Sequence, residues 1–298
     1  MRRLSTFGLL VAAALCAACT GAAQGDRDPS AKALGSADPY LSKLNAKRPI
    51  EARQSYWLEE LTWMEVRDLV ASGHTTVIIP TGGVEENGPY LATGKHNLIL
   101  EASCPAIASR LKNALCAPIV KFVPEGDIDP PSGAMRFPGT ISLSASTYEA
   151  LLSDIASSLK QSGFTNIIMI GDSGGNQRGM QAVAAKLNER WAELPVRAHF
   201  VKEFYSPGWD AVEKFTTTEL GVEETRKDGY HDDIWVTAMM MVTDPTQVRF
   251  EERVLAGRAS INGVPITPLE DAVELGRQMI GFRADLTAEA IRSAIKEK

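Results

Sequence analysis

The segment TGGVEENGPYLATGKHN, residues 81–97, sets Glu85, Glu86 and His96 among glycine, proline and asparagine turn-formers, just after the apolar run TTVIIP. Carboxylates and an imidazole at the open end of a strand are donor types suited to a hard or borderline cation such as Zn²⁺ or Mn²⁺. Two further loops carry similar residues. GDSGGN, residues 171–176, follows the apolar run NIIMI and offers Asp172, Ser173 and Asn176; YHDD, residues 230–233, offers Tyr230, His231, Asp232 and Asp233 ahead of a helical apolar run. Each has a plainer reading. Asp232 and Asp233 suit a helix N-cap and first turn, Asp172 an Asx turn, and Ser173 a turn serine bonded to local backbone.

These loops need elements to hold them. LTWMEVRDLVASG places Thr62 and Glu65 in capping-box register and ends at Gly73, which predicts a helix. The strand TTVIIP follows, then a helix over 96–113 and a strand APIVKFV over 117–123. SASTYEALLSDIASSLKQSG shows helical spacing at Tyr148, Leu151, Leu152, Ile155 and Leu159, with Ser146 and Glu149 as its capping box and Gly163 after its end. The strand NIIMI, a helix over 177–194 and a strand VRAHFVKEF complete the alternation. Apolar strands without polar alternation, joined by helices, predict a mostly parallel sheet covered on both faces. Ligands of such sheets bind beyond the carboxyl ends of the strands.

The chain has 298 residues, 44% hydrophobic and 23% charged, with a formal charge of −6, and carries no electrostatic footprint for nucleic acid. MRRLSTFGLLVAAALCAAC reads as an export signal over 1–23: a basic start, then an apolar stretch too short to span a bilayer. Cleavage among the small residues or lipidation at Cys19 are both open, so the expected location is the periplasm, free or lipid-anchored. Residues 24–46 read as a polar linker and 47–298 as one domain. Cys104 and Cys116 are expected as two buried small apolar residues, although an oxidising compartment permits a bond between them.

Five segments, in order, resemble the creatininase family of metal-dependent amidohydrolases: IIPTGGVEENGPYLATGKHNLILEA, RFPGTISL, GFTNIIMIGDSGGN, YHDDIWVTAMMM and INGVPITPLEDAVELGRQMI. The resemblance implies a three-layer αβα fold, commonly a homohexamer. It also implies a site with two Zn or Mn ions that hydrolyses a non-peptide C–N bond, as in a small cyclic amide or formamide. Glu85 matches the family's first-motif glutamate. The partner histidine falls on Asn87, the bridging aspartate on His96, and the histidine of N-G-H on Ser173. The glutamate of N-G-H-Y-E-N falls on Gly175, the last glutamate of E-x-E-T-S on Val236, and a histidine before F-P-G-T on Ala134. The proton-donating histidine is matched by His231.

Three readings follow. In the first, one Zn or Mn ion, rather than two, is held by a rewired set of Glu85, His96, Asp172 and Asp233, with His231 as acid–base and Asn87, Tyr230 and Asn176 binding a small-molecule substrate. In the second, the pocket is metal-free and Ser173 is a nucleophile or anion site, with His231 or His96 as its base. In the third, an exported protein keeps the fold without catalysis.

Overall fold

The computed structural model describes residues 41–296. The expected export signal, the Cys19 anchor and nearly all of the expected linker lie outside the described residues. The chain divides into two units, Met1–Lys47 and Arg48–Lys298. In the first, the described part forms a single 3-10 turn at Leu41–Lys43.

In the second unit, β1 (Thr76–Thr81), β2 (Ala114–Cys116), β3 (Asn166–Gly171) and β4 (Arg197–Phe200) form a parallel sheet in the order β2-β1-β3-β4. Alternate side chains leave opposite faces of each strand. Val77, Ile79, Ile167 and Met169 pack under α1 (Trp63–Ala71), α3 (Ala145–Gln161) and α4 (Gln177–Arg190). Ile78, Ile168 and Ile170 pack under α2 (Lys95–Leu111) and α8 (Leu269–Lys296). β1 and β3 are buried along their whole length, which explains their unbroken apolar sequences. The result is the expected three-layer αβα fold. Outside α2 and α8 a further apolar cluster gathers α5 (Gly208–Thr218), α6 (Ile234–Thr243) and α7 (Phe250–Leu255), while Ser260–Ile261 (β5) and Val264–Pro265 (β6) form a small antiparallel ribbon.

Thr62 and Glu65 form the reciprocal capping box expected for α1. For α3 the cap is Ser144 instead of Ser146, its hydroxyl accepting from the Thr147 N–H, so the helix starts two positions before the expected box could close. The strand expected at 117–123 sits earlier, at Ala114–Cys116. Pro118 has no N–H to give a ladder, and beyond it the chain makes isolated bridges such as Thr81 with Val120.

Cys104, on α2, and Cys116, closing β2, form a disulfide with their Cα atoms 6.2 Å apart, contrary to the expectation of two free apolar residues. Sequence spacing carried no information about this distance; packing of α2 across the β1–β2 edge set it. Reduction of this closed loop of 12 positions is expected to cost roughly 2–3 kcal/mol. Urea unfolding with and without reductant checks this, and coincident curves would show that the bond contributes nothing.

Candidate functional site

Between β1 and β3 the strand order reverses direction, because β1 leads outward to β2 on one side and β3 to β4 on the other. Loops leaving the two carboxyl ends must diverge there, and they open a crevice. That crevice is a cavity of roughly 630 Å³ whose lining includes Glu85, Lys95, His96, Glu125, Asp172, Ser173 and His231.

Two asparagines hold its floor. Asn176 is fully buried, and its Nδ2 donates to the carbonyls of Thr81 and Gly82 at 3.0 and 3.2 Å, stapling the turn after β3 to the end of β1. Asn87 donates within its own loop to the Glu85 carbonyl at 3.0 Å. Neither lines the cavity. Tyr230, the remaining residue expected to bind substrate, also lies off the lining and is 57% exposed. The Nδ2 groups of both asparagines thus satisfy backbone carbonyls of glycine-rich loops.

Glu85, His96 and Asp172 do meet, in a hydrogen-bonded line. His96 Nδ1 lies 2.7 Å from Asp172 Oδ2 and Nε2 lies 2.6 Å from Glu85 Oε1. A neutral imidazole has one N–H, so two such contacts to carboxylates require the imidazolium. Burial and the Lys95 charge push the His96 pKa down, but the bonds to Asp172 and Glu85 prevail and raise it. For Glu85, burial acts upward, while the His96 bond and charge, with Lys95 and His231, bring it to about 2. The other Asp172 oxygen lies 2.8 Å from an Arg283 guanidinium nitrogen. Arg283 reaches in from α8, lies between the rings of Phe204 and Trp209, and donates from Nε to the Phe204 carbonyl at 3.0 Å.

Lys95, the first residue of α2, is 1% exposed. Its Nζ lies 3.3 Å from Glu85 Oε1 and 3.3 Å from each ring nitrogen of His231. Burial lowers the Lys95 pKa against the charges of Glu85 and Asp172, and burial together with the Lys95 charge pulls His231 down to about 4. His231 therefore stays neutral and accepts from the ammonium.

Beside this line the Ser173 hydroxyl donates to Glu125 Oε2 at 2.8 Å. Gly175 makes this approach possible, since a Cβ there would lie 1.7 Å from the Pro124 carbonyl oxygen. Glu125 Oε1 has no donor among the described residues. Burial first, and then the Glu85 charge, raise the Glu125 pKa to about 7. The two carboxyls thus titrate far apart, at about 2 and about 7.

The donor set does not fit a divalent metal. An imidazolium has no lone pair to give, so His96 cannot ligate while it bridges two carboxylates. Glu85 is already shared by His96 and Lys95, and Asp172 by His96 and Arg283. Asp233 lines the cavity as the residue preceding α6 and makes no contact with this line; among the described residues no group of three or more His, Cys, Asp or Glu is arranged to hold a metal ion. Val236, where the resemblance would place a ligand, is an apolar member of the lining.

Sequence reasoning missed Lys95, Glu125 and Arg283. Lys95 left one signal: a cation in the first turn of a helix opposes the macrodipole and needs a reason to be there. Arg283 left none, because its contact spans more than a hundred residues.

A parallel sheet covered on both faces, with perturbed titratable groups at its switch point, is the architecture of an α/β protein with a ligand site beyond its strand ends. A family model described as creatinine amidohydrolase matches residues 59–279. The chain belongs to the creatininase family. Creatinine amidohydrolase of Pseudomonas putida is 28% identical over 117 residues, and the match covers 39% of this chain and 44% of that relative's length. A mutant creatininase complexed with creatine superposes with a TM-score of 0.57 at 20% identity, over 80% of this chain and 98% of the other. A mutant creatininase of the Zn–Zn type gives a TM-score of 0.53 at 20% identity, over 82% and 98%. These structures agree with this chain in fold.

Proposed function

We propose that this chain hydrolyses a C–N bond of a small amide in the cavity between β1 and β3, with Ser173 as nucleophile and Glu125 as acid–base. Family membership supports the reaction class. One observation carries the choice of groups: the Ser173 hydroxyl donates at 2.8 Å to a carboxylate whose pKa is about 7. A base near neutrality that already holds the hydroxyl proton is matched to deprotonating it. Ser173 Oγ attacks the carbonyl carbon while its proton passes to Glu125. Glu125 then returns that proton to the leaving nitrogen, and water releases the acyl group by the same route reversed. The Lys95 ammonium and the Tyr205 hydroxyl share the cavity and suit the developing oxyanion. His231, bonded to Lys95, orients that ammonium. The rewired metal reading has the less favourable donor chemistry, since both nitrogens of His96 are engaged.

The disulfide supports a site of action in an oxidising compartment, in keeping with export to the periplasm. Assembly into a homo-oligomer rests on the family alone.

Turnover of a panel of lactams, cyclic ureas and formamides tests the proposal. Ser173→Ala is expected to abolish turnover while leaving ligand-induced thermal shifts intact, and a serine-directed reagent should label Ser173. Full activity of Ser173→Ala would remove the serine from the chemistry.

A further inference from the structure

We propose that the Lys95 ammonium is the resident cation of this site, standing in for a divalent metal and presenting one N–H to a ligand oxygen. Three observations carry this. The first is position. Glu85, the ligand type retained from the family motif, is joined here by Lys95 and His96 at a single oxygen, Oε1, which thus serves protein cations.

The second is charge. Glu85 and Asp172 contribute two negative charges, against positive charges on Lys95, His96 and Arg283. A divalent ion added among them would bring further positive charge to buried carboxylates that already face three cationic side chains, which burial makes costly.

The third is the valence of Lys95 itself. An ammonium has three donors. Glu85 and His231 take two, and the third has no protein acceptor among the described residues. Nζ belongs to a side chain that lines the cavity, so this donor is available to a carbonyl or carboxylate oxygen of a ligand. His231 reinforces the arrangement: as a neutral acceptor it holds the ammonium in place without adding charge. The site thereby exchanges a dissociable Lewis acid for a covalently attached cation that no chelator can remove.

Metal content and metal response of the full chain test this independently of turnover. The inference concerns the cation, and it stands or falls whether or not Ser173 is the nucleophile. Protein purified without a histidine tag is expected to carry well under one zinc or manganese ion per chain. Its thermal midpoint should be the same in EDTA and in added ZnCl₂ or MnCl₂. Lys95→Met, which keeps the side-chain length and removes the charge, should lower the midpoint, and added zinc should raise it again, because the Glu85 carboxylate, relieved of the ammonium, becomes free to ligate an added cation. A merely structural lysine would show the first effect without the second. Stoichiometric zinc or manganese retained by the wild-type chain through dialysis would overturn the proposal, as would a wild-type midpoint raised by zinc. Should Lys95→Met fail to fold, the wild-type measurements decide alone.

Discussion

Glu125→Gln is expected to reduce turnover by roughly 10²–10⁴-fold, the usual loss on removing a positioned acid–base group. It should also remove an ionisation near pH 7 from the rate profile. In the wild-type chain the ionised carboxylate takes the Ser173 proton, so kcat/KM should rise with pH through about 7. Stability should run the other way. The folded-state pKa is raised above the ordinary 4.5, so between pH 4.5 and about 7 the native chain keeps a proton that the unfolded chain has lost. Stability from this group is therefore complete below 4.5 and is lost as pH rises through about 7, by up to roughly 3 kcal/mol. His231 acts oppositely between about 4 and 6.5, because its folded pKa is depressed, and its half-exposed ring weakens the effect. Glu85 acts only below 4.5. Comparing urea unfolding of wild type and Glu125→Gln isolates the one group. The variant should gain on the wild type as pH rises from 5 to 8, and a pH-independent difference would sink the assignment.

Arg283→Met should be the most destabilising single change at the site, at roughly 3–5 kcal/mol. The guanidinium is 1% exposed and Asp172 is fully buried, so removal of the arginine strands a carboxylate with His96 as its remaining cation. It also removes a planar cation from between Phe204 and Trp209 and leaves the Phe204 carbonyl without its donors. The second half of a double-mutant cycle distinguishes charge from packing. Asp172→Asn in the Arg283→Met background should cost little further, because the stranded charge has gone. Strict additivity of the two changes, or a single-variant loss below about 1 kcal/mol, the scale of an exposed pair, would show that the ion pair does not hold this wall of the cavity.

Much of this architecture was written in local pattern. The runs TTVIIP and NIIMI became the two central strands because a sheet covered on both faces admits apolar residues at every position. Thr62 and Glu65 capped a helix as their spacing requires, since a capping box closes within one turn. The place of the site was legible too: acids and a histidine in glycine-rich loops after those strands sit where α/β sheets bind ligands. What each polar residue does there was not legible. Asn87 and Asn176 looked like ligand contacts and serve backbone carbonyls. His96 looked like a metal ligand and bridges two carboxylates.

Family, layer order and the location of the cavity thus belong to the sequence, because hydrophobic periodicity and loop composition act within a few residues of themselves. Whether those loops hold a metal or a fixed protein charge was decided in three dimensions. Lys95 opens α2, Glu125 lies in the loop beyond β2, and Arg283 comes from the last helix; Lys95 acts on Glu85 and His96, Glu85 on Glu125, and Arg283 on Asp172, only once folding has brought them together. Electrostatic interaction depends on distance and burial, and neither is carried by spacing along a chain. The same holds for Cys104 and Cys116, two ordinary apolar positions until α2 lay across β2 and joined them.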